Sequence, residues 1–131
     1  MSQDERGGGA AEPNEVLMRV LSPEERSLLV YLMAKASLPL PDAEWLDQLK
    51  IEAIGPGRSS FRILRDADRD YDQLASDVVF HDEDEVQVLA SLFVDRRQIP
   101  YEVEIWKIDD TPLIKLPMFP AYEGPPPGSG T

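Results

Sequence analysis

The sequence predicts an α+β domain, with one or two N-terminal helices packed on an antiparallel sheet of four or five strands. Three observations predict it. A capped helix start at Ser22-Pro23-Glu24-Glu25 precedes Leu28, Leu29, Leu32, Met33 and Ala36, which form one stripe at helical spacing. The later half alternates with period two instead: Val86, Val88, Ala90, Leu92 and Val94 interleave with Gln87, Leu89, Ser91, Phe93 and Asp95. Helical patterns come first and strand patterns after them, without the βαβ order of a parallel sheet.

The elements follow in chain order. Residues 1–14 contain Gly7-Gly8-Gly9 and no apolar side chain larger than alanine after Met1, so they are expected to be a disordered tail. A segment that buries nothing does not offset an ordering entropy of roughly 1–2 kcal/mol per residue. Val16 to Leu21 is apolar and reads equally as a short strand or a helical lead-in. At the helix start, the Ser22 hydroxyl can accept from a free backbone N–H while Glu25 reaches back, Pro23 suits the first turn, and both glutamates suit the positive end of the dipole. Pro39 and Pro41 end the helix near Ser37. Asp42 can cap a second, shorter helix carrying Trp45, Leu46 and Leu49. Ile51 to Ile54 lead into the turn Gly55-Pro56-Gly57, and Ser60 to Leu64 reads as a strand with Phe61 and Ile63 on one face. Asp66 to Asp72 is a polar loop or helical turn, and Val78-Val79-Phe80 marks a short strand. Asp82 to Glu85 forms a tight acidic turn before the long hairpin, which reverses at Asp95 to Gln98 and returns through Tyr101, Val103 and Ile105. The folded domain is expected over 15–122, followed by a disordered Pro/Gly tail over 123–131.

At 131 residues, with 42% hydrophobic and 29% charged residues, the chain has room for one domain. Acids outnumber bases 25 to 13, for a net charge of −12, a field that repels phosphates and anionic lipid. Direct nucleic-acid or membrane binding is therefore not expected. There is no cysteine for a disulfide or a thiolate nucleophile, and a single histidine is too few for a multi-histidine metal site. No apolar run approaches the ~20 residues that span a bilayer. The segment Met1-Ser2-Gln3-Asp4-Glu5-Arg6-Gly7 lacks the basic flank and apolar stretch of a signal peptide, so a cytoplasmic location is expected. Neither G-x-x-x-x-G-K-[ST] nor G-x-G-x-x-G occurs, and no cofactor is expected.

Three constellations bear on chemistry. Asp66, Asp68, Asp70 and Asp72 fall at positions 1, 3, 5 and 7 of a calcium-loop frame, with Asp77 at position 12. The frame departs where Tyr71 replaces the glycine of position 6 and Asp77 the longer glutamate, while Arg65 and Arg69 supply counter-charges. These four aspartates are weak metal candidates in a loop read as solvated and ion-paired. His81 beside Asp82 would need an exposed serine to make a hydrolytic triad; no G-x-S-x-G occurs, and Ser59 and Ser60 are the nearest substitutes. It reads as a surface histidine bonded to a neighbouring carboxylate.

The third constellation is charge clustering. Residues 82–110 hold nine acids against three bases, half of the net charge, whereas residues 15–37 balance at zero. On a regular strand Glu102 and Glu104 share a face with Trp106, an aromatic anchor with an acidic rim. Asp82, Glu83, Asp84, Glu85, Glu102, Glu104, Trp106, Asp109 and Asp110 are thus the candidate partner-binding residues.

The strand Tyr101-Glu102-Val103-Glu104-Ile105-Trp106-Lys107-Ile108-Asp109-Asp110-Thr111-Pro112-Leu113 resembles an E-L-D-I-W-K-V-D-F-S-P-L-type strand of a family of small bacterial domains of unknown function. The Ser22-Pro23-Glu24-Glu25-Arg26 helix start, the Gly57-to-Phe61 turn and Asp82–Val86 leading to Ser91-Leu92-Phe93-Val94-Asp95 follow in the same order, over about residues 19–117. The resemblance implies a fold and a bacterial origin; it implies no activity, cofactor or catalytic residue. The expectation is a non-enzymatic binding protein whose acidic face docks on a basic protein partner, as immunity proteins and antitoxins do. The alternative is a small carboxylate- or metal-dependent hydrolase. The strip Leu113-Ile114-Lys115-Leu116-Pro117-Met118-Phe119 either lies on a neighbour or closes the chain's own core.

Overall fold

The alternation between Gln87 and Lys107 builds the centre of the sheet. The computed structural model describes residues 18–64 and 73–124. Its elements are β1 (Met18–Val20), α1 (Pro23–Lys35), α2 (Ala43–Gln48), β2 (Lys50–Ile54), a 3-10 turn (Pro56–Arg58), β3 (Ser60–Ile63), β4 (Gln73–His81), β5 (Gln87–Val94) and β6 (Pro100–Lys107). The strands form one antiparallel six-stranded sheet in the order β1-β2-β3-β6-β5-β4.

The α+β class is as expected, but the sheet has six strands where four or five were expected. The ambiguous lead-in is a strand: Met18 pairs with Glu52 and Val20 with Lys50, so β1 hangs on the edge of β2. The helices are inserted between β1 and β2 rather than preceding every strand. The strand expected at Val78–Phe80 runs nine residues, from Gln73 to His81, and pairs along β5. Its polar letters, Gln73, Ser76 and Asp77, hid it because an edge strand meets solvent on more sides than an inner one.

The helix start forms as read. Ser22 Oγ accepts from the Glu25 amide at 3.1 Å, and the Glu25 carboxylate accepts from the Ser22 amide at 2.9 Å. Glu25 is buried and also accepts two bonds from the Arg19 guanidinium, at 2.6 and 2.7 Å, which ties α1 to β1. Asp42 caps α2 by accepting from the Trp45 amide at 2.9 Å.

One face of the sheet makes the core. Leu28, Leu29 and Leu32 of α1 and Leu46 of α2 are buried with Ile51, Phe61, Val88, Ala90, Leu92 and Val103. The strip after β6 closes this core rather than standing free: Leu113, Leu116 and Phe119 pack against it, while Ile114 and Met118 stay exposed. The Phe119 ring lies 5.5 Å from Tyr31 and 5.4 Å from Phe80, and its amide donates to Ser27 Oγ at 2.9 Å. Among the described residues no helix covers the opposite face of the sheet. No described helix is long and apolar enough to cross a membrane.

Candidate functional site

The acidic hairpin divides its carboxylates between two faces. Along β6, after the buried Pro100, the buried side chains alternate as Tyr101, Val103, Ile105 and Lys107, so Lys107 continues the core-facing phase and lies 4% exposed. A buried ammonium needs partners. Lys107 Nζ donates to Asp82 Oδ2 at 2.8 Å and to Asp84 Oδ2 at 2.7 Å. Asp82 is itself 4% exposed. Its two oxygens also accept from the amides of Glu83 at 2.8 Å, Ile114 at 2.7 Å and Lys115 at 3.1 Å. Asp82 therefore clamps three segments: the β4–β5 turn, the end of β6 and the closing strip.

This corrects one expectation. Asp82 was placed on the docking surface, yet its carboxylate faces inward and is saturated with donors, leaving no acceptor for His81. His81 stands exposed. Burial pushes the Asp82 carboxyl up, but the Ile114 amide, the Lys107 ammonium and the Glu83 and Lys115 amides outweigh it and hold the group well below the usual carboxylate range. Burial likewise lowers Lys107, and the carboxylates of Asp82 and Asp84 reverse that shift and raise it. Asp84 is shared between this pair and solvent, while Glu83 and Glu85 are exposed at the turn. Asp109 accepts from the Thr111 hydroxyl at 2.6 Å and amide at 3.0 Å, which lowers its carboxyl and shapes the loop after β6.

Glu102, Glu104 and Trp106 share the open face of β6, as the alternation requires. Trp106 is 48% exposed and stands opposite Leu89, which pairs in turn with Val79. Asp110 adopts a left-handed backbone (φ 63°), with its amide bonded to the Lys107 carbonyl. That turn brings its carboxylate back to accept the Trp106 indole N–H at 2.9 Å. The exposed ring is thereby held in one orientation. Glu102 lies 3.4 Å from the Arg62 guanidinium on β3, whereas Glu104 is exposed and its carboxylate makes no polar contact among the described residues.

Beside Trp106 lies a cleft of about 390 Å³, lined by Ile54, Gly55, Ser59, Glu102, Glu104 and Asp110 among others. It opens where β3 stops while β6 continues. The buried Ser60 closes the ladder there: its hydroxyl accepts from the Ile105 amide at 2.8 Å and donates to the Ile105 carbonyl at 3.3 Å. Ser60→Ala leaves both buried groups unpaired and is expected to destabilise the fold by about 1–3 kcal/mol, read as a lower urea midpoint at unchanged slope. A midpoint equal to wild type would show that another donor or acceptor replaces the hydroxyl.

The Gly55–Ser60 turn reaches the cleft through backbone shape. Gly55 and Gly57 have φ of 80° and 68°, and a Cβ on Gly57 would lie 3.2 Å from Pro112 Cβ. Ser59 and Ser60 lie in the cleft wall rather than beside His81, which is not among the cleft residues. The candidate aspartates Asp66, Asp68, Asp70 and Asp72 lie outside the described residues. Asp77 falls within β4, its carbonyl accepting from Lys35 Nζ at 2.5 Å. Among the described residues no group of three or more His, Asp or Glu side chains is placed to hold a metal ion.

Sequence reasoning missed the Lys107 clamp, although the signal was present: a lysine in the phase of Val103 and Ile105 marks a buried cation. A family model described as a domain of unknown function (DUF6984) matches residues 18–117. No curated protein and no solved structure matches the chain.

Proposed function

We propose, for a chain that belongs to this family of domains of unknown function (DUF6984), a non-catalytic docking role in which the open face of the sheet receives a basic protein partner. The observation that carries the reading is the half-exposed Trp106, oriented by Asp110 and flanked by Glu102 and Glu104 beside a cleft. A fixed aromatic surrounded by charge is the usual form of an interface anchor with a polar rim. The carboxylates that remain exposed, Glu83, Asp84, Glu85 and Glu104, together with the half-buried Glu102, add a negative field that steers a cationic surface toward the anchor. An immunity protein or antitoxin meets a basic enzyme in this manner, and such an inhibitory role is the specific form of the proposal.

The test uses the partner that the full chain retains from native cell extract, and follows its association rate across ionic strength. The double variant Glu102→Lys/Glu104→Lys is expected to slow association about tenfold at low salt and to flatten the salt dependence. Glu83→Lys/Glu85→Lys, at the β4–β5 turn and outside the cleft lining, is expected to change the rate less. Rates unchanged in the first variant would remove the assignment of the docking face.

A further inference from the structure

We infer that the cleft beside Trp106 is a seat for an arginine side chain, so that the partner presents a guanidinium, not merely positive charge, at this point. The inference rests on the docking reading above and names the group that the site takes. Side chains two apart on a strand stand about 7 Å from one another on the same face. Glu104 and Trp106 are such a pair, with the cleft between β6 and the Gly55–Ser59 turn opening at their side. A flat cation entering there meets the exposed indole on one side and a carboxylate on the other. Indole faces attract guanidinium by cation–π contact, and a carboxylate receives its two parallel N–H groups.

Three features of the site favour this occupant. The indole N–H is already committed to Asp110, so the ring edge is pinned and its face is what remains to offer. The Glu104 carboxylate makes no polar contact among the described residues, so it is not already spent on another side chain there. Lys107, the cation that lines the same cleft, has its ammonium turned to Asp82 and Asp84 and does not neutralise Glu104. The neighbouring Glu102 already receives the chain's own Arg62 at 3.4 Å, so one guanidinium of this fold sits on this row of carboxylates. An ammonium would gain the charge attraction but not the flat stacking or the paired donors.

The experiment uses the full chain carrying Trp45→Phe, which leaves Trp106 as its single tryptophan. Its fluorescence is titrated at low salt with blocked Gly-Arg-Gly-Arg-Gly and with the lysine and citrulline counterparts. The arginine peptide is expected to quench Trp106 saturably, with Kd at least tenfold below those of the lysine and citrulline peptides. Glu104→Gln is expected to raise that Kd about tenfold, and Glu123→Gln, an exposed carboxylate beyond the closing strip and outside the cleft, to leave it unchanged, both variants keeping the parent melting temperature. Equal affinity for lysine and arginine overturns the inference while leaving a basic docking face in place. Absence of saturable quenching also overturns it, and the association rates of Glu102→Lys/Glu104→Lys then decide the docking face separately.

Discussion

Asp82→Ala is expected to destabilise the domain by about 3–5 kcal/mol, the effect of leaving a buried cation without its partner. For a domain of this size that corresponds to a fall of roughly 15 °C in melting temperature. The loss goes beyond one ion pair, because the same carboxylate holds the amides of Ile114 and Lys115 and so fixes the strip that closes the core. The variant should therefore also become open to proteolysis after β6 under native conditions, where local opening sets the rate. Asp82→Asn/Lys107→Met removes both charges together and is expected to recover part of the stability. An Asp82→Ala melting curve that overlays wild type would dismiss the clamp.

The same group predicts a pH dependence. Its carboxyl is depressed in the folded state, so its contribution is complete above the unfolded value of about 3.9 and is lost as the pH falls below that toward the folded value. Wild type should lose stability steeply below about pH 4, and the Asp82→Asn/Lys107→Met variant more gently. The slope that remains belongs in part to Glu25, which burial raises but Arg19 and the Ser22 cap hold below its ordinary value. Lys107 acts at the opposite limb: raised by its carboxylates, it contributes fully below the ordinary lysine value and loses that contribution as the pH rises through the folded one. Thermal melts between pH 2 and 7 compare the two proteins directly.

The second large effect concerns binding. Trp106→Ala is expected to weaken the partner complex by at least about 2 kcal/mol, roughly thirtyfold in Kd, while leaving the fold intact. The ring is 48% exposed on the uncovered face, so its removal opens no core cavity. Asp110→Ala keeps the ring but frees the indole N–H, and is expected to weaken the complex less, through lost orientation. A Kd unchanged in Trp106→Ala, measured by calorimetry with the retained partner, would move the interface elsewhere on the molecule.

Much of the fold was legible because its signals are local. The Ser22–Glu25 capping box, the Asp42 cap and the β5–β6 alternation each lie within a few residues of chain, and each forms as read. The count of strands was less legible. The three residues of β1 have no pattern of their own and become a strand only by pairing with β2 across the inserted helices. β4 has mixed polarity because it is an edge, and its length shows only against β5.

At the site, residues of one strand were legible and residues of different segments were not. That Glu102, Glu104 and Trp106 share a face follows from the two-residue repeat of a strand, whatever the rest of the molecule does. That Asp82 turns inward while Glu104 faces out does not follow from composition, since both belong to the same acidic hairpin. It depends on Lys107, 25 residues further along, and on the Ile114 amide, 32 residues away, being folded back beside it. The amino-acid order determined the helices, the central hairpin and the common face of the tryptophan and its glutamates, because those are set by neighbours. Only the tertiary structure decided which carboxylates are consumed in holding the fold and which stay available, because burial of a charge is decided by donors brought from distant parts of the chain.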